Sequence, residues 1–265
     1  MAPLKVGHKG AARLAPGNTL ESFDAALAAG VDMIEFDVLS EYRDGSGRLL
    51  LAHDYGDLAE RPALTLEQAL AHLARDAYAG VALDVDVKLP GYGPRVARAL
   101  REAGMLERSL LSSMFPKDLD VIRAAEPALR LGWSVPRVGR DYTTDRLTML
   151  PALAILQVIR RRLPAQAREA LRSGRVHAIM AHWRVVTNAL VASVRGAGGD
   201  LYVWTVDDPA LVRRLSAMPV TGIITNDPRV FAAAADDAQL RSPLRDPLAA
   251  SGEGGPPASL PDAAG

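Results

Sequence analysis

The sequence contains no cysteine. That absence excludes a disulfide framework and any thiolate metal centre, so a bound cation would have to rest on carboxylates or histidines. Such donors favour a hard divalent ion. Aromatic residues are scarce too, at 5%, which gives little material for an apolar landing surface on lipid. Charge of one sign is not in excess either: 31 Lys and Arg stand against 31 Asp and Glu. The chain therefore lacks the basic footprint expected of a nucleic-acid partner, and a small-molecule substrate is the expectation. No stretch approaches the ~20 consecutive apolar residues of a membrane span, which argues against stable insertion in a bilayer. Met1 to His8 carries no apolar core of a secretion signal, so a cytoplasmic address is expected.

What is present is a chain of 265 residues, 49% hydrophobic, large enough to bury one sizeable core. Short β-like runs alternate with Ala- and Leu-rich helical patterns, the signature of parallel strands joined by crossover helices. Strands are expected at Leu4–His8, Asp32–Val38, Val81–Lys88, Leu110–Ser113, Leu129–Ser134, His177–His182, Leu201–Val206 and Gly222–Thr225. Between them, helices are expected at Thr19–Ala29, Leu66–Arg75, Pro94–Ala103, Pro116–Ala125, Asn188–Ala197 and Ala210–Ala217, several opened by Thr, Asn or an early Pro. The pattern predicts an α/β chain closed into a (β/α)8 TIM-type barrel. The connection from Pro136 to Val176 is unusually long and is expected to hold extra helix around Pro151–Arg162. After the second strand, Asp44-Gly45 and Gly47 read as a turn leading to a short strand, Arg48–Ala52. This is a small insertion beside the barrel mouth. The barrel domain is assigned to residues 1–236, and residues 237–265, rich in Pro, Gly, Ser and Ala, to a disordered tail. Arg160-Arg161-Arg162 is taken as a solvated helix face.

Two strands carry the chemistry. In Met33-Ile34-Glu35-Phe36-Asp37-Val38, period-two alternation puts Glu35 and Asp37 on one face and the apolar set on the other. Near a strand's C-terminal end, that first face looks into the barrel mouth, where such barrels keep their active sites. Two carboxylates so placed repel unless a cation lies between them, although ion pairs with lysines would also resolve the conflict. In Ala82-Leu83-Asp84-Val85-Asp86-Val87-Lys88 the same alternation aims Asp84, Asp86 and Lys88 inward. Gathering these charges in one interior without a ligand would cost several kcal/mol per uncompensated ion. An exposed edge strand would avoid that cost, but it requires an antiparallel sheet, which the alternating helices oppose.

His8 and His53 stand directly after β-like runs. Cleaving a phosphodiester requires one group to take a proton from the attacking oxygen and another to protonate the leaving alcohol, and imidazoles titrate where both tasks are possible near neutral pH. A cation would neutralise charge on the phosphoryl oxygens. Lys9 and Lys88 would add to that electrostatic clamp.

These residues fall in motifs that resemble the glycerophosphodiester phosphodiesterase family. Gly7-His8-Lys9-Gly10-Ala11 is similar to its His-Arg-Gly opening, Ala15–Phe23 to its Pro-Glu-Asn-Thr-Leu segment, and Met33–Val38 to its Ile-Glu-Leu-Asp-Val strand. Ala52-His53-Asp54 resembles its second histidine motif, and Asp84–Lys88 its Asn-x-Glu-x-Lys strand. Ser112-Ser113-Met114, Val203-Trp204-Thr205-Val206 and Gly222-Ile223-Ile224-Thr225 continue the likeness in order, over about Val6 to Val230. The resemblance implies a TIM barrel hydrolysing glycerophosphodiesters to glycerol 3-phosphate and an alcohol. It implies Mg²⁺ or Ca²⁺ on Glu35, Asp37 and Asp86, with His8 and His53 as the acid–base pair. Lys9 and Lys88 become phosphate contacts, Trp204 a pocket wall, and Asn18 a tie for the loop under the site.

The chain departs from the family pattern in four places. Lys9 replaces arginine, exchanging a planar fork for a point charge. Asp86 is one methylene shorter than the usual glutamate. Asp84 stands where asparagine is usual, adding a negative charge, and Asn226 where aspartate is usual, with Asp227 adjacent. The alternative readings are a phospholipase D or C acting on lysophospholipid or phosphoinositide, and a catalytically impaired barrel that only binds a phosphodiester.

Overall fold

Alternation at period two requires a strand with charged and apolar faces to have something apolar outside it and something polar within. The computed structural model, which describes residues 2–136 and 149–241, meets that demand with a closed barrel. Its strands are β1 (Leu4–Gly7), β2 (Met33–Ser40), β3 (Leu49–Leu50), β4 (Ala82–Val87), β5 (Ser109–Ser113), β6 (Arg130–Val135), β7 (Ala178–His182), β8 (Asp200–Trp204) and β9 (Gly222–Thr225). All except β3 pair in parallel around the ring, and β9 returns to β1. The (β/α)8 expectation holds, and no strand pair within the ring is antiparallel. The helices are α1 (Leu20–Ala28), α2 (Tyr55–Glu60), α3 (Leu66–Leu73), α4 (Gly93–Glu102), α5 (Pro116–Ala125), α6 (Met149–Arg172), α7 (Asn188–Gly196), α8 (Pro209–Ser216) and α9 (Arg229–Arg241).

The expected insertion is present in short form. β3 runs antiparallel to the end of β2, pairing Leu39 with Leu50 and Ser40 with Leu49. Three features differ from expectation. α6 passes Arg162 and continues through Pro164 to Arg172, because Leu163, Ala167, Ala170 and Leu171 bury one continuous face whose packing outweighs the lost backbone bond. α2 is a polar turn of helix with no buried residue. It has no apolar period to read, and it is started by the Asp54 side chain accepting from Gly56 N and Asp57 N. α9 extends to Arg241, beyond the boundary drawn after residue 236. Residues 242–265 of the expected tail lie outside the described residues. Among the described residues, no helix is long and apolar enough to cross a membrane.

Two apolar layers support the site. Outside the ring, Ile34, Phe36 and Val38 of β2 pack with the helices in one large core. Inside it, Val6, Met33, Leu110, Ala178, Met180, Tyr202 and Ile224 form a plug beneath the charged residues of β2 and β4. Phe36 is fully buried, with its ring centroid 5.6 Å from that of Phe23 on α1. Phe36→Ala is expected to cost ~3–5 kcal/mol, read as a lower urea midpoint at unchanged slope. A loss under ~1 kcal/mol would show that this contact does not hold α1 to the barrel.

The segment between β1 and α1 is bound tightly beneath the mouth. Thr19 and Ser22 form a capping box at the start of α1, and Ser22 Oγ also donates to the Lys9 carbonyl at 2.8 Å. Gly10, at φ +82°, lies against this contact, where a Cβ would meet Ser22 atoms at 2.5–2.6 Å. Only glycine fits that approach.

Candidate active site

β2 and β4 are neighbours in a register that aligns Glu35 with Asp84 and Asp37 with Asp86. Four carboxylates therefore meet side by side at the C-terminal mouth of the barrel, all buried. Glu35, Asp37 and Asp86 each offer one oxygen, and these three lie within 4.8 Å of one another. Lys88, at the end of β4, places its Nζ 2.6 Å from both Asp37 Oδ1 and Asp86 Oδ2. Lys9 Nζ stands 3.4 Å from Asp37 Oδ2. Asn18 holds Asp37 from behind: its Nδ2 donates to Asp37 Oδ2 at 2.9 Å, and Asp37 N donates to Asn18 Oδ1 at 3.0 Å. The Lys9 amide donates to Glu35 Oε2 at 2.7 Å.

These carboxylates do not share one protonation state. Burial works against ionisation at Asp37, but the ammonium groups of Lys88 and Lys9 outweigh it and hold the carboxyl well below the usual range. Glu35 is pushed well up by burial and then by the charge on Asp37. Asp84 is pushed up to about 8, again by burial first and then by Asp86, and Ser112 Oγ lies 2.7 Å from its Oδ1. Burial and Asp86 both work against the negative charge expected from Asp84. Burial tends to strip Lys88 of its proton, yet Asp37 and Asp86 keep it firmly charged. Among the described residues, buried Asp86 Oδ1 receives no hydrogen bond, and Asp37 Oδ1 meets Lys88 as an ion pair outside hydrogen-bond alignment.

The histidines flank this cluster. His8 follows β1, where its amide donates to the Thr225 carbonyl at 2.8 Å and extends the β1–β9 ladder by one bond. Its Nδ1 lies 2.6 Å from Asn226 Oδ1, its Nε2 lies 3.7 Å from Glu35 Oε2, and its side chain is 21% exposed. Burial pushes its imidazole below the ordinary range, against the opposing charge of Asp37. His53 is half exposed, with Nδ1 2.9 Å from Asp54 Oδ2. Both line one cavity of about 200 Å³ with Glu35, Asp86, Lys88 and Trp204. Trp204 Nε1 donates to the Met180 carbonyl at 2.8 Å, and its ring meets His182 edge-on at 5.1 Å.

Most of the residues singled out in the sequence converge here. Lys9 does so differently from expectation. Its ammonium is committed to Asp37, and it lines an adjoining cavity that shares His53 as a wall. The sequence reading missed Asp207, which receives hydrogen bonds from Asn226 and Thr225. The available signal was a carboxylate three residues beyond Trp204, just past the end of a barrel strand.

Against this geometry stand the relatives. The profile of the Glycerophosphoryl diester phosphodiesterase family matches residues 8–54 and 108–230. That range includes His8, Glu35, Asp37, His53 and Trp204 but leaves out β4, whose carboxylates are placed by register alone. A glycerophosphodiester phosphodiesterase of Arabidopsis thaliana is 25% identical, covering 89% of this chain and 74% of the relative. Among solved structures, a glycerophosphodiester phosphodiesterase from Agrobacterium tumefaciens superposes with a TM-score of 0.63 at 20% identity, covering 87% of this chain and 99% of that one. A phosphodiesterase from Oleispira antarctica, solved in complex with the product sn-glycerol-3-phosphate, superposes with a TM-score of 0.64 at 19% identity, covering 89% and 97%.

Proposed function

This chain belongs to the glycerophosphoryl diester phosphodiesterase family, and from that premise we propose that it hydrolyses glycerophosphodiesters to glycerol 3-phosphate and an alcohol with the help of a divalent cation. The observation that carries the reading is the meeting of Glu35, Asp37 and Asp86 within 4.8 Å beside His8 and His53 on one cavity wall. The barrel through α9 is the unit to which this activity is assigned.

The residues present fit Mg²⁺ or Ca²⁺. All three candidate ligands are oxygen donors, the choice of hard cations, and the buried Asp86 Oδ1 has no hydrogen-bond partner among the described residues. When bound there, such an ion supplies Lewis-acid neutralisation of charge on the phosphoryl oxygens. The remaining work falls to the chain. Glu35 and Asp37 are kept on the mouth face by β2, and Asn18 and the Lys9 amide fix their orientation. Lys88 brings a positive charge to the cavity and contacts the phosphate, and Lys9 supports it from the adjoining wall. Trp204 closes the side of the pocket opposite the carboxylates. One imidazole takes the proton from the attacking oxygen, and the other delivers a proton to the leaving alcohol. Retention of both histidines and all three carboxylates disfavours a barrel that only binds.

Purified protein supplied with Mg²⁺ or Ca²⁺ is expected to release glycerol 3-phosphate from glycerophosphocholine or a related diester, measured by an enzyme-coupled assay. A panel of diesters with varied head groups, with and without acyl chains, identifies the alcohol. No glycerol 3-phosphate from any member would remove this reading.

A further inference from the structure

Asn226 touches His8 on one side and Asp207 on the other. Its Nδ2 donates to Asp207 Oδ2 at 2.7 Å, and its Oδ1 lies 2.6 Å from His8 Nδ1. The amide cannot be turned the other way without setting its oxygen against a carboxylate oxygen, because an ionised carboxylate only accepts. Asp207 is itself fixed. Its Oδ1 accepts from the Asn226 amide N–H at 2.8 Å and from Thr225 Oγ1 at 2.9 Å. Arg13 Nη2 stands 3.5 Å from Oδ2. Burial opposes its charge, but the bonds from Asn226 and Thr225 hold the carboxyl below the usual range.

With Asn226 Oδ1 obliged to accept, His8 Nδ1 must donate. We propose that Asp207 is a positioning residue which, through Asn226, locks His8 in the Nδ1–H tautomer with the Nε2 lone pair turned to the Glu35 side of the cavity, making His8 the general base. This rests on the phosphodiesterase reading above and deepens it. The proton leaves the attacking oxygen for Nε2 as that oxygen bonds to phosphorus. The imidazolium so formed keeps its Nδ1–H on Asn226. The arrangement parallels other acid–base sites in which an orienting acceptor selects the ring tautomer. His53 is left as the donor to the leaving alcohol. Its Nδ1 contact is to the exposed Asp54, and its side chain is half exposed at the rim.

The test joins spectroscopy with kinetics in the Mg²⁺-supplied protein. Imidazole ¹⁵N spectra, with His8 assigned by comparison to His8→Ala, are expected to show Nδ1 protonated and Nε2 unprotonated. Asp207→Ala and Asn226→Ala are expected to mix the tautomers and lower kcat ~10–100-fold, with KM within about twofold. Asn226→Asp alone sets two carboxylates face to face and is expected to be at least as poor. The reciprocal exchange, Asp207→Asn with Asn226→Asp, restores a donor opposite an acceptor and keeps an acceptor oxygen on His8 Nδ1. It is expected to recover most of kcat and the original tautomer. An Nε2–H tautomer in the unmodified protein overturns the relay. So does an exchange variant that melts at the parent temperature yet stays as slow as the single variants. The spectra judge the relay even if no diester is turned over, so its failure and that of the proposed activity are told apart.

Discussion

Excess EDTA is expected to abolish release of glycerol 3-phosphate, and addition of Mg²⁺ or Ca²⁺ to restore it. The reason lies in the charge balance of the mouth. Glu35, Asp37 and Asp86 converge within 4.8 Å, and the Lys88 ammonium stands 2.6 Å from both Asp37 and Asp86. Burial, and after it the charge on Asp37, push the Glu35 carboxyl well above its usual range. Glu35, Asp37 and Asp86 would hold a divalent ion, whose charge would offset the repulsion among them. Ion binding would therefore favour the folded chain as well as the reaction. A ligand at a hundred times its Kd contributes about 2.7 kcal/mol, which for a domain of this size is a rise of roughly 5–10 °C in melting temperature. Asp37→Ala should lose both the turnover and the cation-dependent rise. Undiminished turnover in excess chelator would sink the metal-dependent mechanism, and a melting temperature indifferent to either ion would show that the carboxylates hold none.

The second large effect concerns the histidines. His8→Ala and His53→Ala are each expected to lower kcat by at least ~10²-fold, since a positioned acid or base contributes ~10²–10⁴-fold. The loss is not one of folding, because both side chains are partly exposed at the rim and the half-exposed His53 anchors no core residue. The two variants should separate by leaving group. A diester whose leaving alcohol is a nitrophenol needs little protonation, so it should largely rescue His53→Ala and rescue His8→Ala little. Wild-type rates in either variant would take that residue out of the mechanism. Equal rescue of both would contradict the division of roles.

The parts of the site that could be read in the sequence are those governed by a fixed geometric period. A side chain every second residue puts Glu35 and Asp37 on the face opposite Ile34 and Phe36, and the same rule orients Asp84, Asp86 and Lys88. The parallel register then brings the two sets together. Apolar spacing marks most of the helices, and it is silent or misleading at two of them. α2 buries nothing, and Pro164 marks a stop that packing overrides. Protonation was out of reach, because the state of Asp84 depends on the neighbouring Asp86 and on burial. Lys9 could be placed near the phosphate by motif, but its commitment to Asp37 depends on how the loop after β1 folds over. The contact of Asp207 with His8 through Asn226 joins residues far apart in the chain, and no local pattern announces it.

The alignment of Glu35 with Asp84 and of Asp37 with Asp86 has a consequence for how this site can change over evolutionary time. Placement of these carboxylates depends on counting residues along two neighbouring strands, so a substitution alters one of them at a time. A one-residue insertion or deletion early in β4 is different. It turns Asp84, Asp86 and Lys88 outward into the helix layer in one step and brings Leu83, Val85 and Val87 into the mouth. Length changes should accordingly be confined to the connections, while the two strands keep their residue count even where the identities drift.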